Sequence, residues 1–219
     1  QVEAHRIRIM FPIGIKADYS YGEGQFDVVK RPIDRPDTSD WIEQPMYDYP
    51  MHHFVDVNDE KQGVAILVDG LKEYEVLEDS ASTSTSTLAL TLALTLLRSF
   101  YYKIPVASMQ DYSHQKGTQC LGHQVYKLGF YPHTGNVEEG DVFREAMVFN
   151  YEPRIFQAGK NKADFKYIDS LLHIENEKVA FSSLKISEDR TSCILRIYNP
   201  TSEKITTNIH SLFNLKAVI

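Results

Sequence analysis

The chain has 219 residues, 42% hydrophobic and 24% charged, with a formal net charge of -7. That length and balance allow one well-buried core and the start of a second, and they exclude a disordered chain. The acidic balance speaks against nucleic acid as a partner, and the densest basic cluster, Lys30-Arg31 with Arg35, is too short for a phosphate-binding face.

There is no apolar run of about 18 residues to cross a membrane and no charged-then-apolar signal segment at the N-terminus. The two cysteines, Cys120 and Cys193, lie far apart and outside any CxxC. This excludes a structural zinc built on thiolates, leaves a disulfide open, and favours a reduced, cytoplasmic pair. The chain opens on Gln1-Val2, without Met, directly in a strand-like pattern. The expectation is a piece of something longer.

Residues 2–11 alternate, with Ile7, Ile9 and Phe11 on one face and Arg6, Arg8 and Met10 on the other, which predicts a half-buried antiparallel strand. Tyr21-Gly22-Glu23-Gly24 reads as a turn leading into a strand over 26–29. Pro32, Pro36, Pro45 and Pro50 predict an irregular loop. Residues 54–57 and 63–68 read as a hairpin turning through 58–62, followed by a short strand over 74–77.

The tract 82–96 repeats ST three times and LALT twice. One reading is a strand with Leu88, Leu90, Leu92, Leu94 and Leu96 on one face. The other is a tract written more than once, which collapses to an ordinary turn plus strand. Further strands are predicted over 123–130, 178–186 and 193–198. Residues 141–149 predict two helical turns with Asp141 as N-cap, and 162–172 is ambiguous. Strands at short intervals, rich in Tyr and Phe, predict stacked antiparallel sheets.

Among possible chemical groups, His52, His53 and Asp56 do not make a metal site. Adjacent strand residues point to opposite faces, and zinc needs several converging ligands. His133 falls in Tyr131-Pro132-His133-Thr134-Gly135-Asn136, a turn by composition. Asp27, Asp56, Asp79 and Asp111 sit near strand ends, where turn capping is the ordinary use of Asp. No nucleophile elbow, phosphate loop or dinucleotide fingerprint is present. The residues themselves define an all-β domain and name no reaction.

An ordered set of runs resembles the C-terminal region of the α-mannosidases of glycoside hydrolase family 38. Phe26 to Pro32 precedes Trp41-Ile42-Glu43-Gln44-Pro45. Then come Phe54-Val55-Asp56-Val57, Gly63 to Leu67, Gly70 to Val76, Leu94 to Ser99, Gly117 to Gly122, Tyr131 to Gly135, and Leu184 to Asn199. The resemblance implies a galactose-mutarotase-like β-supersandwich over 1–182 and the beginning of a smaller β-sandwich over 183–219. It also implies a retaining glycosidase that cleaves α-mannosides with zinc and an Asp nucleophile.

The family's zinc-binding His-x-Asp strand belongs to its N-terminal catalytic domain, and no His-x-Asp occurs here. The implied role is therefore a structural, pocket-completing portion with no catalytic residue and no metal of its own. Its partners would be that N-terminal domain and, through it, an α-mannoside; a homo-oligomer stays open. Arg98 and Asp79 are the candidate substrate-binding residues, with a surface ion pair as the plainer alternative. Two other functions are weighed. One is a stand-alone carbohydrate-binding module using Trp41, Tyr47 and Tyr49. The other is a mutarotase-type epimerase using His53 or His133 with a carboxylate.

Overall fold

A computed structural model of the chain describes residues 3–78, 90–101, 114–160 and 170–212. The described residues form two compact units, 1–25 with 29–151, and 26–28 with 152–219.

The first unit is a sandwich of two antiparallel sheets. One sheet has the order β1-β8-β7-β4, from β1 (Arg6–Pro12), β4 (Tyr49–Pro50), β7 (Glu73–Glu78) and β8 (Leu90–Arg98). The other has the order β3-β2-β5-β6-β9, from β2 (Tyr19–Glu23), β3 (Val28–Pro32), β5 (Phe54–Asn58), β6 (Gln62–Val68) and β9 (Leu128–Thr134). The core lies between the sheets. Val55, Val57, Val64 and Ile66 face Tyr74, Leu90, Leu92 and Leu94, all below 9% exposure. The leucine alternation of 90–94 is thus that of a genuine strand, paired on both sides.

Helix α1 (Val142–Asn150) covers the outer face of β5 and β6. It buries Val142 and Ala146 one turn apart and sets Phe143 edge-on against Phe54. This explains why all five residues of β5 are buried instead of every second one.

Three sequence expectations change. Residues 19–23 form β2, which takes in Tyr21 to Glu23 of the predicted turn: Ser20 points inward to Tyr74 Oη at 3.1 Å, and the glycine at 22 leaves room for the Tyr74 ring. Tyr131 to Thr134 belongs to β9 and is not a turn, because Pro132 sits on an edge strand where its missing N–H costs no ladder bond. Asp141 precedes the helix in a left-handed conformation (φ 52°) and makes no side-chain cap. The collapsed-tract reading concerns 82–87 in large part, which lies outside the described residues, as do most of the ambiguous 162–172.

At the sandwich margin, both outermost strands β1 and β9 carry a phenylalanine facing between the sheets. Phe11 and Phe130 stack there at 6.4 Å between centroids. The second unit holds two short ladders, β10 (Leu172–Ile174) with β13 (Ile209–Ser211) and β11 (Ala180–Ile186) with β12 (Cys193–Tyr198). Cys120 and Cys193 are both free and exposed.

Candidate functional site

Arg98 ends β8 with its side chain 53% exposed and its guanidinium donating to Glu73 Oε2 at 3.1 Å. It forms the rim of a larger lattice. The outward positions of β8 are small, Ala93 and Thr95, so long side chains from the flanking strands meet across it. Arg6 and Arg8 of β1 pair with Asp48, just before β4, and with Glu73 and Glu75 of β7. Arg35 joins Glu75 from the proline-rich loop at 2.6 Å. Burial opposes the charge on Asp48, but the Arg6 hydrogen bond and the charges of Arg6 and Arg8 hold its carboxyl below the usual value. Asp79 lies outside the described residues.

The structure gives each of two histidines a carboxylate. His133 Nε2 lies 2.7 Å from Asp56 Oδ2, with side-chain exposures of 3% and 0%. The pair spans β6 at Gly63, where a Cβ would come within 2.4 Å of the imidazole, and Gly140 closes the other side as tightly. His133 is therefore sealed and does not serve as an acid–base group for a ligand. His53 Nδ1 lies 2.9 Å from Glu23 Oε2, and the same carboxylate accepts the His53 backbone N–H at 2.9 Å. That carboxylate is 5% exposed and the imidazole 28% exposed, so this pair ties β2 to the start of β5 and leaves one ring edge open.

Of the loop aromatics, only Trp41 is largely exposed, at 53%. Tyr47 lies under the Arg35 guanidinium at 4.2 Å. Tyr49 packs on Tyr74 at 6.0 Å and under Arg31, so it belongs to the wall of the sandwich and not to an open stacking surface.

A cleft of about 500 Å³ opens at one end of the sandwich, where residues 16–18, the turn 58–60 and the ends of β7 and β8 meet. Tyr19 and Tyr21 share its wall, one pleat apart on β2. Lys30, from the neighbouring β3, holds its ammonium 4.0 Å from the Tyr19 ring centroid and 5.7 Å from that of Tyr21. Sequence reading missed this wall because Gly22 and Gly24 suggested a turn. The Tyr-Ser-Tyr alternation was the available signal. Among the described residues, no group of three His, Cys, Asp or Glu side chains is placed to hold a metal ion, so they do not fit a zinc site. No described helix is long and apolar enough to cross a membrane.

These features define an antiparallel β-sandwich domain, and the chain shares its fold with an alpha-mannosidase structure from Enterococcus faecalis V583, overlaying it with a TM-score of 0.78 and 24% identity, over 96% of this chain and 22% of that one. Residues 2–106 match the glycosyl hydrolases family 38 C-terminal domain. A protein of Halalkalibacterium halodurans, provisionally named a mannosylglycerate hydrolase, is 27% identical over 201 residues, 91% of this chain and 20% of its own length. Alpha-mannosidase G of Dictyostelium discoideum is 26% identical over 211 residues, 95% of this chain and 17% of its own length. The chain thus spans about a fifth of the relatives that it matches.

Proposed function

We propose that this chain is the pocket-completing β-portion of a retaining, α-mannoside-cleaving hydrolase. The catalytic carboxylates and the zinc belong to a segment outside it. The observation that carries this reading is the family 38 C-terminal match over 2–106, falling on the antiparallel sandwich. The names of the relatives supply the substrate class. The lattice around Arg8 and the sealed His133–Asp56 pair cross-link the walls of the sandwich, as a domain needs when it supports chemistry performed elsewhere.

The test is turnover of an aryl α-mannoside with zinc present. The 219-residue chain alone is expected to show none. The full-length parent protein is expected to turn over and to lose activity on chelation. Turnover by the chain alone, or a parent inert toward α-mannosides, would overturn the reading. Anomeric retention is read by proton NMR of the first-formed sugar, with inversion sinking that part of the proposal.

A further inference from the structure

The structure assigns to the cleft beside Tyr19 a neutral pyranoside ligand, bound by this chain independently of any catalytic segment. The cleft has the size of ordinary small-ligand sites, roughly 300–1,000 Å³. Its aromatic element is Tyr19, 40% exposed although it lies on a strand of the sandwich. Aromatic rings are the surfaces on which the apolar faces of sugars stack. Lys30 stands over that ring and Tyr21, so the ammonium donor and the aromatic wall are positioned together before any ligand arrives.

Acceptors come from the turn. One oxygen of Asp59 already takes the backbone N–H groups of Lys61 and Gln62, at 3.0 and 2.9 Å. Those bonds fix the carboxylate and hold its pKa below the ordinary value. Asp18, Glu60 and Glu78 add further acceptors. Among the described lining residues, four carboxylates against Lys16 and Lys30 make a net acidic set, which disfavours an anionic ligand in a chain already at -7. Sugar hydroxyls, each both donor and acceptor, suit donors and carboxylates set side by side. The exposed Trp41 lies on a different loop and has no part in this cleft.

The experiment titrates the 219-residue chain with methyl α-D-mannopyranoside, followed by nitrogen-15 amide NMR and calorimetry. Saturable binding is expected, with shifts at Tyr19, Tyr21 and 58–60. Tyr19→Ala is expected to weaken it about tenfold or more. Tyr19→Phe, which keeps the ring, is expected to retain it, and Trp41→Ala to leave it unchanged. The spectrum of each variant reports whether its fold is intact. Absence of saturable binding, a Tyr19→Ala variant that is folded and binds normally, or loss of binding in Trp41→Ala would each overturn the assignment. None of these outcomes bears on turnover by the parent enzyme, so the two readings fail separately.

Discussion

Gly63 carries no side chain, and the imidazole of His133 fills the space it leaves, reaching across β6 to Asp56. Asn58 donates to the other oxygen of Asp56, so the buried carboxylate is satisfied on both sides. Removing the imidazole strands that charge, and His133→Ala is expected to cost about 3 kcal/mol in urea unfolding. Gly63→Ala should reproduce much of that loss by forcing the ring out of line. The pair also sets a pH dependence. Burial works against the imidazolium of His133, but the hydrogen bond and charge of Asp56 prevail and raise its pKa above 6.5. The stability it supplies is then complete below the ordinary imidazole value and falls away as pH climbs through the raised one. Unfolding free energies measured from pH 6 to 9 should decline in the native chain relative to His133→Ala; parallel curves would contradict this. None of this was legible in the sequence. Pro132 and Gly135 made the surroundings of His133 read as a turn, and the partner lies 77 residues away. By contrast, Arg98 is itself 53% exposed and its partner Glu73 is also held by Arg6, so Arg98→Ala should change stability by less than about 1 kcal/mol.

Among the elements, β8 has the most demanding position. It is hydrogen-bonded on both sides, turns Leu90, Leu92 and Leu94 into the core, and presents small residues outward beneath the arginine–carboxylate lattice. Leu92→Ala should cost about 2–5 kcal/mol by thermal or urea unfolding, within the range for large-to-small core changes. Ala93 is sensitive in the opposite sense. It is fully buried under Arg8 and Glu75, and a larger side chain there would part their contact. Elements with a clean period were readable in advance: β1, the β5–β6 hairpin, β7, β8 and the paired β11 and β12. Those with mixed signals were not. The glycines hid β2, and β5 is buried on both faces because α1 covers it, a fact that emerges only from tertiary packing. The cleft was invisible for the same reason: residues 16–19, 30 and 58–60 converge only once β2, β3 and the hairpin are placed in one sheet.

For the molecule as a whole, the sandwich has two sides of unequal finish. Opposite the proline-rich loop, β1 and β9 are each the last strand of their sheet, and residues that should face the core remain open there: Ile7 is 44% exposed and Phe130 57%. The stacked Phe11 and Phe130 rings are the clasp between the layers at that margin. The clasp sets the order in which the molecule breathes. Solvent deuterium should reach the amides of β9 first and those of β5, walled in by α1 and its neighbouring strands, last. Phe130→Ala should speed exchange along β9 and β1 many times over while leaving β5 near its original rate. The least protected seam of the fold is thereby the one at which additional strands would find unpaired backbone and an apolar surface together.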